Sequence, residues 1–127
     1  MNRALRISAA GVVEAVHVDT SKVTFPDEMN ELLGSDWYDL ASSFGSGVEL
    51  YYDMYGADRG TPVNGVASML LHQAGHPMIV HGPIVFLGTD EQGSPAGLSD
   101  AQTAAVVSAW CAATAYPPLT NAAALLG

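Results

Sequence analysis

The segment 60–88 constrains this chain more than any other. It is a dense apolar stretch punctuated by glycine and proline, and it holds three of the four histidines. Ile84, Val85, Phe86 and Leu87 form an unbroken run rich in β-branched residues, as does Met78-Ile79-Val80, and His81-Gly82-Pro83 separates the two. Runs of this length, bounded by turn residues, predict buried strands. Gly82 and Gly88 stand where a turn or bulge calls for positive φ. Ahead of them, Thr61-Pro62 predicts a helix start, because proline in the first turn sacrifices no hydrogen bond and threonine caps free amides. At about 100° per residue, Val66, Ala67, Leu70, Leu71 and Ala74 share one face and His72 lies opposite. The helix is expected over 61–74, stopped by Gly75 and kept from resuming by Pro77.

The remaining chain supplies strands and two further helices. Leu5 and Ile7 alternate with Arg6 and Ser8, and Val12, Val16 and Val18 alternate around Glu14, which predicts a hairpin turning near Gly11. His17 falls on its other face with Val13 and Ala15. Phe25, Met29, Leu32 and Leu33 align at helical spacing, while Asp27, Glu28 and Glu31 fall towards solvent, so a helix is expected over 25–33 with Gly34 as its stop. The stretch 35–44 fits either a strand or an irregular aromatic cover, and Gly45-Ser46-Gly47 turns the chain. From 48 to 55 the alternation is regular. Val48, Leu50, Tyr52 and Met54 share one face, and Glu49, Tyr51, Asp53 and Tyr55 share the other. Ser99 and Gln102 form a capping-box pattern that opens a third helix running to about Thr114. From Ala101 to Gly127 no side chain is charged, so this end is expected to be buried on its own sheet or against another subunit.

These elements predict a small single α+β domain, with a mostly antiparallel sheet and about three helices packed on it. Within it, 1–100 form a body and 101–127 an uncharged apolar helix and tail. The 127 residues, 49% hydrophobic, suffice for one core without covalent staples. Charge narrows the function. Thirteen acids against Arg3, Arg6, Lys22 and Arg59 give a net charge of −9, which disfavours nucleic-acid and anionic-membrane partners. Cys111 is the single cysteine, so an internal disulfide is ruled out and a reducing cytoplasm is the natural setting. The start of the chain does not read as a signal peptide, and no apolar run reaches the roughly 20 residues that span a bilayer.

Motifs of chemistry are scarce. There is no Gly-x-Ser-x-Gly elbow, phosphate-binding loop or dinucleotide fingerprint, so no catalytic residue and no cofactor is assigned. His72 and His76 have the spacing of helical metal ligands, but Gly75 and Pro77 end the helix first, so they are read as exposed or turn histidines and no metal is expected. His81 and His17 are read as structural histidines, Cys111 as a small core residue, and Asn64 as a capping or turn-fixing residue. What remains is the polar face of the 48–55 strand and its neighbours: Trp37, Glu49, Tyr51, Asp53, Tyr55, Asp58 and Arg59. Aromatic rings and carboxylates on a rigid strand suit recognition of a protein surface. Two alternatives accompany this reading. One is a nucleotide-like small molecule held by Arg59, Trp37 or Tyr55 and backbone amides near Thr61. The other is self-assembly into a homo-oligomer through the uncharged C-terminal segment.

The order of elements also resembles a known family. The carriers are the opening strand Asn2-Arg-Ala-Leu-Arg-Ile-Ser8, a second strand from Val12 to Asp19, a leucine-bearing helix ending at Leu33-Gly34, Thr61-Pro-Val-Asn-Gly-Val-Ala67, and Ile79-Val-His-Gly-Pro-Ile-Val-Phe-Leu-Gly88. Together they resemble the phage and mobile-element proteins catalogued as domain of unknown function 3846, over roughly residues 2 to 90. The aromatic middle and the apolar C-terminal segment depart from that pattern. The resemblance implies a phage or mobile-element accessory protein of unknown biochemical role, acting on host machinery or defence. A host protein in the bacterial cytoplasm is then the expected partner.

Overall fold

The structure, a computed structural model, describes residues 2–21, 23–41 and 47–115. In chain order the strands are β1 (Asn2–Ile7), β2 (Val13–Val18), β3 (Tyr38–Ala41), β4 (Val48–Asp53), β5 (Ile84–Thr89) and β6 (Pro95–Ala96), and the helices are α1 (Phe25–Leu33), α2 (Gly65–Gln73) and α3 (Asp100–Thr114). The strands form one antiparallel sheet in the order β2-β1-β5-β4-β3, with β6 also paired to β5. The α+β expectation is met. Most of the turn at Gly45-Ser46-Gly47, and the tail 116–127 invoked for self-assembly, lie outside the described residues.

The apolar run of β5 is central because both faces of the sheet are covered. Val85 and Leu87 point to the α1 side with Ala4, Val18 and Tyr51. Ile84 and Phe86 point to the α2 and α3 side with Leu5, Ile7 and Leu50. A strand buried on both sides loses the alternation that a half-buried one keeps.

Each helix has a local cause. α1 places Phe25, Met29 and Leu33 on one side, and all three are buried. It ends where Gly34 takes φ 64° and the Ser35 amide donates to Asn30 O at 2.9 Å. α2 does not begin at Thr61. Asn64 is its cap, with Oδ1 accepting from the Ala67 amide at 3.1 Å. Residues 61–63 stay extended because Val63 bridges to His81 and Pro62 O accepts from the Gly82 amide. At the far end, Gly75 at φ 81° lets the His76 amide reach Leu71 O at 2.9 Å, as a left-handed cap requires. α3 opens with the expected capping box: Ser99 Oγ accepts from the Gln102 amide, and Gln102 Oε1 accepts from the Ser99 amide.

Three further expectations need correction. Met78-Ile79-Val80 is no strand: Val80 N donates to Ser68 Oγ, and Val80 O accepts from the Asn64 amide, so the segment follows α2 and leaves Ile79 exposed. Gly88 lies inside β5 rather than in a positive-φ turn. A side chain there would come within 2.9 Å of Gly97 O, so the requirement is close approach. Cys111 is exposed rather than in the core, since α3 fully buries Val106 and Ala113 and turns Ala104, Ala105, Ser108, Cys111 and Ala112 outward.

Candidate functional site

Much of the polar face of β4 is turned inward. Alternation places Glu49, Tyr51 and Asp53 together, and of these Tyr51 and Asp53 are buried and Glu49 half-buried, with α1 packed on Tyr51. Tyr51 is 1% exposed, with its ring edge-on to Phe25 at 6.1 Å and tilted against Tyr38 at 5.5 Å. Burial, then the charge of Glu49, then Tyr38 and a hydrogen bond to Glu49 push the Tyr51 phenol far above its ordinary range. The Tyr38 phenol is raised by burial, and that of Tyr52 by burial and Asp39. Alternation identified the right residues for one face and the wrong medium for that face.

Asp53 and Arg59, expected to meet a partner, meet each other instead. The Asp53 side chain is 2% exposed and pairs through Oδ2 with the Arg59 guanidinium, while its Oδ1 accepts from the Tyr55 amide. Arg59 also donates to Gly34 O at 2.8 Å, and its Nη1 lies 3.8 Å from Asp36 Oδ2. The cluster fastens the loop after β4 to the end of α1. The anion pocket expected near Thr61 is not assembled either. Arg59 is paired, the Thr61 amide donates to Gly56 O, and Thr61 O sits against His81 Nδ1. Tyr55 is 47% exposed, and Asp58 is exposed on the same loop.

Of the expected site residues, Trp37 stands on an open groove. Its side chain is 68% exposed at the rim of a groove of about 480 Å³ lined by Pro26, Asp27, Asn30, Asp36, Trp37 and Tyr38. On the opposite flank of α1 a second groove, of about 400 Å³, is lined by Arg6, Glu14, Val16, His17, Glu28, Glu31 and Leu32. There Arg6 is already engaged, Nη1 with Glu14 Oε1 at 2.6 Å and Nε with Leu32 O at 2.9 Å. Sequence reading missed both grooves, although one signal was present. Glu31 falls in the last turn of α1, where a carboxylate opposes the helix dipole and no basic residue compensates it.

Two of the four histidines find a bland place. His72 is exposed on α2, and His81 is held by Thr61 O. No group of three metal-ligating side chains able to hold an ion occurs among the described residues. Nor is any described helix long and apolar enough to cross a membrane. No curated protein and no solved structure matches the chain. One family profile does, and it runs past residue 90, where the resemblance in the sequence stops, into α3. With residues 1–110 matched, the chain belongs to the family described as domain of unknown function (DUF3846).

Proposed function

We propose that this chain is a non-enzymatic accessory protein of a phage or mobile element that works in the bacterial cytoplasm by binding a host protein. The observation that carries this reading is Trp37, a large aromatic left 68% exposed beside a carboxylate-lined groove. Exposed aromatics at the rim of a concave site are the residues that supply binding energy at protein interfaces. Charge supports the same reading. Arg3 is paired with Asp100, Arg6 with Glu14 and Arg59 with Asp53, so the described arginines are spent inside the molecule. Asp27, Glu28 and Glu31 on α1, with Asp36 just ahead of β3, then set the potential of the α1 side, which steers a basic partner.

Native mass spectrometry of the tagged chain recovered from a bacterial lysate tests the reading. A stoichiometric protein partner is expected with the wild type and is lost with the Asp36→Lys/Trp37→Ala variant. A partner retained by that folded variant, or a small bound mass without any protein, would overturn it.

A further inference from the structure

The two grooves share one wall. Asp27 and Asn30 face the groove beside Trp37, while Glu28 and Glu31, each one position further on, face the groove beside β2. Pairs three residues apart are neighbours along a helix surface, so each flank of α1 presents its own short row of polar side chains. We infer that a basic, extended peptide segment crosses α1 and sets one arginine or lysine side chain in each groove. This rests on the protein-binding reading above and adds the chemistry of what is bound.

Three observations carry it. First, one acid of α1 is not explained by helix stability. Asp27 and Glu28 suit a first turn, but Glu31 opposes the dipole in the last, and the helix has no basic residue there. Second, Glu28 Oε2 is shielded from solvent and has no hydrogen-bond partner among the described residues. That oxygen is turned inward, yet Glu28 and Glu31 both line the groove and neither forms a salt bridge with a described lysine or arginine, so an entering cation meets two uncompensated carboxylates. Third, the other groove adds a π face to its carboxylates. Trp37 is exposed, and Asp27 and Asp36 flank the same space, an arrangement that attracts a guanidinium or ammonium group over the indole.

Spacing selects a peptide over a compact ligand. The helix between the grooves is about 10 Å across, and an extended chain rises about 3.3 Å per residue, so the two cations belong three to four positions apart. The groove beside β2 already holds one guanidinium, that of Arg6 between Glu14 and Leu32 O, in the manner expected of the incoming one. Charge complementarity fixes the sign of the partner. It must be basic.

The probe is a short Gly/Ser peptide with two arginines about four positions apart, titrated into the full chain at low salt by calorimetry, with amide shifts followed by NMR. Controls are the same peptide with citrulline for arginine, the same peptide with adjacent arginines, and spermine. Binding is expected with shifts confined to α1, β2, β3 and the turn before β3. It should weaken about tenfold in Glu28→Gln/Glu31→Gln, and by a similar factor in Asp27→Asn/Trp37→Ala. Asp90→Asn/Glu91→Gln removes the same two charges as the first variant from a loop elsewhere on the surface, and should leave affinity unchanged. Equal weakening by that control, equal affinity for the citrulline peptide or the adjacent-arginine peptide, or spermine binding as tightly as the spaced peptide would each overturn the inference. A host partner that still binds Glu28→Gln/Glu31→Gln at full affinity would overturn the inference alone and leave the protein-binding reading standing.

Discussion

The two faces of this sheet are covered by helices of opposite character. On one side lies α1, nine residues long, with Asp27, Glu28 and Glu31 on it and open grooves along both flanks. On the other lie α2 and α3, where Asp100, at the first position of α3 and paired with Arg3, is the one acid and no lysine or arginine occurs. All three helices bury apolar side chains, so packing does not require the difference. The acidic side is concave and polar, and the neutral side offers an apolar groove of about 430 Å³ lined by Ser68, Met69, His72, Pro77, Met78 and Ile79. Like charges gathered beside open grooves raise the local potential there, and this is the physical ground for the proposal made for α1.

The sharpest way to break this comparison is to remove Tyr51, whose ring joins α1 to the sheet. Truncating a buried aromatic to alanine costs about 4 kcal/mol, and Leu50→Ala, acting on the opposite face, about 3 kcal/mol. Urea denaturation of the two variants therefore compares the two covers directly. A loss under about 1 kcal/mol for Tyr51→Ala would mean that α1 does not seal its side.

Next in size is the joint that holds the neutral side in place. Asn64 is fully buried, and its amide donates to Ser8 O and Gly82 O at 3.0 Å and reaches Ile7 O at 3.4 Å, while Oδ1 caps α2. Asn64→Ala removes the cap and strands those carbonyls, for an expected loss of about 3 kcal/mol by thermal or urea unfolding. An aspartate in its place would accept at the cap but donate nothing, so Asn64→Asp should recover only part of the loss. Full recovery would show that the cap, not the carbonyl staple, carries the residue's weight.

Asp53→Asn follows. The buried carboxylate loses its charge opposite Arg59, and because that guanidinium is 38% exposed, water compensates part of the change, leaving about 2 kcal/mol. This variant separates stability from binding. Asp53 fastens the loop after β4, so it should lower the unfolding midpoint while the folded fraction still binds the arginine peptide. Weaker binding at unchanged stability would return Asp53 to the interface.

Much of the fold could be read from the sequence because local causes dominate its elements. Phe25, Met29 and Leu33 at helical spacing, Gly34 and Gly75 at helix ends, and the Ser99 and Gln102 capping box act through neighbouring residues alone. The site was less legible because burial is decided by what arrives from elsewhere in the chain. The alternation of β4 is real, yet α1 converts its tyrosine-bearing face into interior. Likewise Arg59 reads as a free cation until the fold brings Asp53, Gly34 and Asp36 to it. The grooves were illegible for the same reason, since one needs β1, β2 and α1 together and the other needs α1 and the chain entering β3.

Alkaline titration tests the α1 side without a substitution. The Tyr51 phenol titrates above its ordinary value of about 10 in the folded protein and near it when unfolded. Its contribution is therefore complete below pH 10 and is lost as pH rises from there towards the folded value, at about 1.4 kcal/mol per unit. Absorbance at the phenolate band should show Tyr51 ionising only as the fold melts. An early, reversible ionisation of all tyrosines would contradict its burial.

The smallest effect belongs to α3 and sharpens the comparison from the neutral side. Cys111 is exposed, between Ala104, Ser108 and Ala115 on the outer surface of a helix that fully buries Val106 and Ala113. Cys111→Ser should therefore shift stability by less than about 0.5 kcal/mol, the range of surface substitutions. The thiol should also react stoichiometrically with an aromatic disulfide reagent without denaturant, because access rather than unfolding limits exposed cysteines. Slow, denaturant-dependent reaction of the full chain would show that something covers this face in solution. Comparing the reaction at low and high protein concentration then decides what: protection that appears only on concentration comes from a second copy, and protection independent of concentration comes from the chain itself.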